Sequence, residues 1–169
     1  MSKALNIAKG GLFTTLTIIF LYISSIVPTS RLFFISLAAA IIPISIITTN
    51  IKNSVVVYAA ASLLSLLLGL RGIAFMYIVF FGLYGFVKYY VERLRKVVVE
   101  FALKLLFFNS CIYIIYSIYK VFTFGLPKVN IPLYYATAIL QVVFIIYDYV
   151  MTVLISTMYK RLKVAQIKR

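Results

Sequence analysis

The stretch LYYATAILQVVFIIYDYVMTVLISTMY, which runs from Leu133 to Tyr159, is mostly apolar and carries one charged residue, Asp148. A helix needs about 20 consecutive apolar residues to cross the hydrocarbon core of a bilayer, and this run is long enough. The stretch therefore predicts a membrane-spanning helix. Similar apolar runs recur along the rest of the chain, so the whole protein is predicted to be a membrane protein with several spans.

The composition favours a membrane protein and argues against an enzyme. Of the 169 residues, 64% are hydrophobic and only 12% are charged, whereas about a quarter of the residues in soluble domains are charged. The chain has no His, a single Cys and three acidic residues, so it lacks the usual groups for acid–base catalysis, metal binding and disulfide formation. We therefore expect neither a cofactor nor an enzymatic activity.

The apolar runs predict six spans in one transmembrane domain over residues 1–169, an all-α polytopic membrane bundle. Their predicted bounds are residues 8–26, 32–49, 54–70, 73–87, 97–122 and 133–159. The third and fourth spans are short, so the alternative is a re-entrant pair and five spans. The first span begins like a signal peptide, but it lacks a clean small-residue cleavage site, which favours a retained helix.

The basic residues predict the orientation of the bundle. With six spans, 12 of the 17 Lys and Arg residues fall on the side of both termini and 4 fall on the other side, while Lys104 lies inside the fifth span. Those 12 are Lys3, Lys9, Lys52, Lys88, Arg93, Arg95, Lys96, Lys160, Arg161, Lys163, Lys168 and Arg169. Since Lys and Arg are enriched in cytoplasmic loops, we expect a multi-pass protein of the cell membrane with both termini in the cytoplasm. The net charge of +14 then reflects topology. We expect the partner of the protein to be the lipid membrane rather than nucleic acid.

Polar side chains form stripes on three of the predicted spans. On the outer half of the fifth span, Asn109, Tyr113 and Tyr116 share one helical face. Stripes on the third and sixth spans include Ser54, Tyr58, Ser62, Ser65, Thr137, Gln141, Asp148 and Thr152. Such groups either hydrogen-bond neighbouring helices or line a cavity for a small polar or aromatic solute. Both interpretations remain open for the group around Tyr113.

Asp148 is the most informative single residue, because an acid halfway along a span is costly in lipid. We expect it to be either a hydrogen-bonded structural acid or a contact for a ligand or coupling ion. Lys104, inside the fifth span, has Glu100 one turn earlier on the same face, and this spacing predicts a structural pair.

The first span carries a stripe of small residues at its cytoplasmic end, formed by Ala4, Ala8, Gly11 and Thr15. Small residues allow another helix to approach closely. The stripe predicts either packing inside the bundle, which a second pair at Gly10 and Thr14 also offers, or docking of another subunit.

Taken together, these features resemble the S component of energy-coupling-factor (ECF) transporters. The resemblance rests on six spans in under 200 residues, cytoplasmic ends and the Ala4-x-x-x-Ala8 stripe. It implies a subunit that binds a vitamin-like micronutrient and docks onto a transmembrane coupling subunit driven by two ATPases. It further implies docking through the first helix and a pocket in the outer halves of helices four to six. That pocket would include Tyr77, Asn109, Tyr113, Tyr116 and Gln141, with Asp148 at or beneath its floor.

Two other resemblances point to different partners. The segment from Phe81 to Asn109 looks like an uncharacterised family of small Firmicute membrane proteins. The length, basic character and several spans are also similar to the rod-shape protein MreD, a scaffold that binds proteins rather than a solute. A hydrated, tyrosine-lined cavity in the outer half would favour transport, and a filled interior would favour the scaffold.

Overall fold

The computed structural model describes residues 3–94, 96–121 and 133–167, and within these ranges it is helical with no strand. The helices are α1 (Lys3–Ile26), α2 (Arg31–Thr48), α3 (Ile51–Leu67), α4 (Arg71–Glu92), α5 (Val97–Val121) and α6 (Leu133–Ile167). All of these except α3 are long and apolar enough to cross a membrane, and α3 is a shorter apolar helix. The protein therefore has the architecture of a multi-pass membrane protein.

Local sequence signals account for the turns on both sides of α3. The side chain of Asn50 caps the helix by accepting a hydrogen bond from the backbone N–H of Asn53 (2.8 Å). Gly69, which follows the helix, has a φ of 76°, a conformation that residues with a Cβ rarely adopt. These two turns make α2, α3 and α4 consecutive antiparallel neighbours.

The central helix of the bundle is α2, which packs against α1, α3, α4 and α6. Its buried face includes Ala38, Ala39 and Ala40, whose small side chains let neighbouring helices approach closely. Gly85 of α4 faces the same helix, and a Cβ there would lie 3.0 Å from atoms of Ile42 and Pro43. The packing of α1 to α4 therefore depends on small residues at their crossings.

One turn of α4, Tyr77–Phe81, is π-helical, and the N–H of Gly82 bonds to the carbonyl of Tyr77 five residues earlier. A π turn disturbs the regular i→i−4 bonding and leaves carbonyls available to other donors. Two side chains use them: the Tyr58 hydroxyl donates to Ile78 O (2.8 Å) and the Cys111 thiol to Val79 O (3.3 Å). The irregular turn therefore ties α4 to both α3 and α5.

The fourth helix continues beyond its predicted end at residue 87 as far as Glu92. Lys88 was expected in a cytoplasmic loop, and this prediction is wrong because its side chain is buried inside the bundle. The helix can continue because Lys88 finds anionic partners there. Without Lys88, 11 basic residues lie on the predicted side of both termini and 4 on the other side, so the predicted orientation stays the same.

The last two helices are much less buried than α2 and α4, and slightly less buried than α1. Of the apolar spanning segments, 17% of that in α5 and 11% of that in α6 is buried, compared with 50% in α2, 44% in α4 and 22% in α1. Their contact with α4 includes an aromatic cluster in which Phe108 and Phe144 stack at 4.4 Å between ring centroids. Phe80 and Tyr84 of α4 pack on this pair.

Candidate functional site

Four charged side chains meet between the end of α4, the beginning of α5 and the middle of α6. They are Lys88 and Glu92 of α4, Lys104 of α5 and Asp148 of α6. Each is placed by its helix register, and Lys88 and Glu92 lie on one face of α4 because they are four residues apart. We call this group the charge network.

Each ammonium group in the charge network contacts both carboxylates. Lys88 Nζ lies 2.7 Å from Glu92 Oε1 and forms a short contact with Asp148 Oδ1. Lys104 Nζ lies 3.2 Å from Glu92 Oε1 and 2.9 Å from Asp148 Oδ2. The two positive and two negative charges cancel, so the network is neutral as a whole, which is the state that a low-dielectric interior tolerates best.

Neutral side chains complete the hydrogen bonding around Asp148. The hydroxyl of Tyr84, one turn before Lys88, donates to Asp148 Oδ1. Lys88 Nζ also donates to Thr152 Oγ1 (2.7 Å), and the Thr152 hydroxyl donates to the backbone carbonyl of Asp148 (2.8 Å). Asp148 Oδ1 thus accepts from Tyr84, Lys88 and Lys104, and this acid is the most heavily bonded member of the network.

Exposure is uneven within the charge network. The side chains of Lys88 and Lys104 are 1% and 9% exposed, whereas those of Asp148 and Glu92 are 22% and 33% exposed. The network therefore has a closed side formed by the lysines and an open side formed by the carboxylates. Glu92, near the turn between α4 and α5, is its most accessible member.

The predicted pairing of Lys104 with Glu100 is wrong, because Lys104 turns instead toward Glu92 and Asp148. A pair within one exposed helix contributes little free energy, whereas two carboxylates already facing the bundle interior attract the ammonium group strongly. Sequence reasoning also missed Lys88 as a partner of Asp148. The available signal was the i, i+4, i+8 spacing of Tyr84, Lys88 and Glu92 on one helical face.

Among the predicted pocket residues whose side chains the structure describes, Asn109 and Gln141 lie together. Gln141 Nε2 lies 3.4 Å from Asn109 Oδ1 across α5 and α6, and Tyr113, one turn beyond Asn109, is 73% exposed. Tyr77 of α4 is fully buried in the core cluster that α4 forms with α1, α2, α3 and α6, and its hydroxyl has no hydrogen-bond partner among the described residues. The side chain of Tyr116 lies outside the described residues, and Asp148 belongs to the charge network.

A groove of about 430 Å³ follows one face of α6. It is lined by Tyr149, Val150, Val153, Leu154, Thr157 and Met158. None of the residues predicted for the pocket lines this groove, which is mainly apolar.

The two small-residue stripes of α1 have different surroundings. Gly10 is buried, and a Cβ there would lie 3.0 Å from the side-chain amide of Asn53 on α3. The predicted docking stripe of Ala4, Ala8, Gly11 and Thr15 is exposed along its whole length. A Cβ on Gly11 would meet no atom within 4 Å. The described bundle therefore uses one stripe and leaves the other uncovered.

The chain matches no family model, no curated protein and no solved structure. Within the described residues, no three His, Cys, Asp or Glu side chains gather as metal ligands. The fold class and the sites above therefore rest on the chain's own residues.

Proposed function

We propose that this chain is the substrate-binding membrane subunit of an ECF-type transporter. In this proposal the protein has six spans, keeps both termini in the cytoplasm and takes up a vitamin-like micronutrient. The observation that carries it is the uncovered stripe on α1, because docking onto a coupling subunit requires a close-approach surface that the subunit's own helices leave free.

The argument for docking compares two stripes on the same helix. A face of a helix that meets only lipid gains nothing from small residues, since lipid contacts Leu or Ile as well as it contacts Ala. Ala4, Ala8, Gly11 and Thr15 are all exposed, and their small side chains allow another helix to approach α1 closely. The hydroxyl of Thr15 donates to the carbonyl of Gly11 (3.0 Å), so this polar group already has a partner within α1. A second helix from another protein fits this surface.

The proposed solute site lies in the outer half of the last three helices, with Asn109 and Gln141 as its polar centre. These amides offer both donors and acceptors, and Tyr113 adds an aromatic face and one hydroxyl. Such a set suits a small solute with a ring and a few polar groups. Replacement of Tyr113 by Ala should weaken solute binding at least tenfold, about 1.4 kcal/mol.

Docking is tested by co-expression of the chain with the coupling subunit and two ATPases of an ECF module. The complex should co-purify with the native chain and be lost with Gly11→Leu, because the larger side chain prevents a second helix from approaching α1 closely. Leu12→Phe is the matched control, since Leu12 is also exposed on α1 but lies off the stripe. Equal recovery of the complex with Gly11→Leu would contradict the docking proposal.

The six-span topology has its own test. Reporter fusions after Arg169 and at Lys128 should be cytoplasmic and external, respectively. An external reporter at Arg169 would contradict the proposed orientation and the span count.

A scaffold resembling MreD is the second candidate, and the aromatic cluster favours it. Phe80, Tyr84, Phe108 and Phe144 fill the described space between α4, α5 and α6, where a solute-binding subunit needs room. A scaffold would use the α1 stripe for a protein partner and would bind no micronutrient. Uptake assays in cells that express the chain with an ECF module separate the two, because only the transporter subunit supports uptake.

A further inference from the structure

We propose that the groove on α6 binds an anionic phospholipid, with one acyl chain along its apolar walls and the headgroup phosphate against the basic residues that follow it. None of the α1 stripe residues lines the groove, and neither Asn109 nor Gln141 does. The inference therefore goes beyond the proposed function, and it holds whether the chain is a transporter subunit or a scaffold.

The groove is formed by the surface of α6 itself. The side chains of a helix form ridges along every fourth residue, and a groove lies between two adjacent ridges. Two such ridges line this groove, one of Tyr149, Val153 and Thr157 and the other of Val150, Leu154 and Met158. The hydroxyl of Thr157 already donates to the carbonyl of Val153 (2.8 Å), and Leu154 packs on the core of the bundle. The groove is therefore fixed to the bundle and suits a hydrocarbon chain.

The length and position of the groove match one leaflet of a bilayer. Between Tyr149 and Met158 the helix advances by about 1.5 Å per residue, which gives roughly 14 Å. This length is about half of a hydrocarbon core roughly 30 Å thick. The apolar spanning segment of α6 runs from Thr137 to Lys160, so the groove occupies its second half. An acyl chain of the leaflet at that end can therefore fill the groove along its whole length.

Basic residues begin where the groove ends. Lys160 follows Thr157 by three residues on the same helical face, is exposed, and forms no ion pair within the part of the chain that the structure describes. The sequence adds Arg161 and Lys163 directly after it. Since α6 continues as a helix to Ile167, this basic segment lies at the depth of the lipid headgroups. Lys and Arg at this depth attract anionic headgroups.

The same charges argue against a second copy of this chain as the occupant of the groove. Two copies share one orientation in the membrane, so α6 helices that meet around a two-fold axis are parallel. Lys160 and Arg161 of the two copies would then lie at the same depth. Like charges at a contact are unfavourable, whereas a phosphate group pairs with both residues.

The chain contains no tryptophan, which makes a site-specific test possible. Tyr149→Trp places one fluorophore in the groove, and brominated acyl chains quench indole fluorescence only on contact. The full chain is reconstituted in phosphatidylcholine with a small, equal fraction of either brominated phosphatidylglycerol or brominated phosphatidylcholine. Quenching should show about a tenfold preference for phosphatidylglycerol. Equal quenching by the two lipids would overturn the proposal.

Tyr113→Trp is the matched reporter outside the groove, because Tyr113 is 73% exposed and Tyr149 is 70% exposed. It should show no preference between the two lipids, and an equal preference there would mean that the effect is not specific to the groove.

Two pairs of substitutions in the Tyr149→Trp chain test the headgroup contact. Lys160→Gln combined with Arg161→Gln should remove the preference for phosphatidylglycerol. Lys52→Gln combined with Lys96→Gln should keep it, because these two exposed lysines lie on other parts of the chain. A preference that survives the loss of Lys160 and Arg161 would contradict the proposed site.

The acyl-chain contact is tested by filling the groove. Val153→Phe should weaken the retention of phosphatidylglycerol in native mass spectrometry of the purified chain. Val143→Phe is the matched control, since Val143 is 48% exposed, Val153 is 46% exposed, and Val143 lies outside the groove. Equal retention by the two variants would mean that the groove holds no acyl chain.

Two further outcomes are decisive. If neither brominated lipid quenches Tyr149→Trp, protein covers the groove and the proposal is wrong; the mass of the particle by light scattering then identifies or excludes a second copy. If Tyr149→Trp does not fold, native mass spectrometry of the unsubstituted chain decides. That chain should retain phosphatidylglycerol in preference to phosphatidylcholine, and equal retention of both lipids refutes the proposal.

Discussion

The first four helices and the last two are held together by different means. In α1 to α4, alanines and glycines at the helix crossings allow close contact, and half of the apolar spanning segment of α2 is buried. α5 and α6 have large exposed apolar surfaces, and the charge network and a stack of aromatic rings join them to α4. The N-terminal part is thus assembled by shape, and the C-terminal part by a few strong local contacts.

This difference follows from the physics of helix association in lipid. Apolar side chains gain little by leaving lipid for protein, so helices associate through close packing or through polar bonds. Where small residues are absent, as on most of the described surface of α6, polar and aromatic contacts must hold the helices together. The two halves should therefore respond differently to substitution.

The largest effect is expected from Asp148→Asn, which leaves Lys88 and Lys104 with a single carboxylate. Removal of one partner from a buried ion pair costs about 3–5 kcal/mol, because the remaining charge is left uncompensated. Thermal exposure of Cys111, the single cysteine, to a maleimide dye reports the unfolding of α5 directly. Asp148→Asn combined with Lys104→Gln restores neutrality and should recover most of the loss. Equal melting of the native chain and the single variant would show that the network does not hold the C-terminal half.

A smaller loss is expected from Gly85→Val, which tests the shape-based packing of the N-terminal half. The new side chain would meet Ile42 and Pro43, where even a Cβ lies at 3.0 Å. Overpacking of this kind costs about 1–3 kcal/mol. Gly72→Val is the matched control, because a Cβ there meets no atom within 4 Å. If both variants melt at the same temperature, close approach at Gly85 is not what stabilises this half.

The neighbouring glycines of α1 offer a finer comparison. Gly10→Leu should displace the Asn53 side chain, whose amide donates to Asn6 O at 3.0 Å, at a cost of about 0.5–1.5 kcal/mol. Gly11→Leu points away from the bundle and should change the unfolding free energy by less than about 0.5 kcal/mol. The comparison is made by thermal unfolding of the two purified variants. A larger loss with Gly11→Leu would place the outward stripe inside a packed contact.

The smallest effect is expected at the amide pair between α5 and α6. A double-mutant cycle with Asn109→Ala and Gln141→Ala should give a coupling of about 0.6 kcal/mol, the average for hydrogen bonds between membrane helices. The cycle is measured by unfolding in the same detergent, with Tyr113→Ala as a neutral control because its side chain is largely exposed. A coupling of several kcal/mol would mean that this pair, and not the charge network, joins the two helices.

Sequence patterns alone predict the helical, multi-pass character and the approximate position of every described helix. Apolar runs of this length have few alternatives, because the backbone must satisfy its own hydrogen bonds in lipid. The inward direction of the α3 stripe was equally predictable, and Ser54, Ser62 and Ser65 are indeed buried. The sequence also offered two small stripes on α1 without deciding between them.

Which charges meet depends on how the helices pack together. Local spacing paired Lys104 with Glu100 and placed Lys88 in a loop, since helix periodicity reports neighbours along one helix and not across three. Asp148 acquires its two cations because the registers of α4, α5 and α6 bring them to one depth. The same registers cover Gly10 with α3 and leave Gly11 open, although the two residues are adjacent and chemically identical. The partners of an interior charge, and the closeness of a helix crossing, depend on the position of the neighbouring helix. The sequence of α1 or α5 alone does not specify that position.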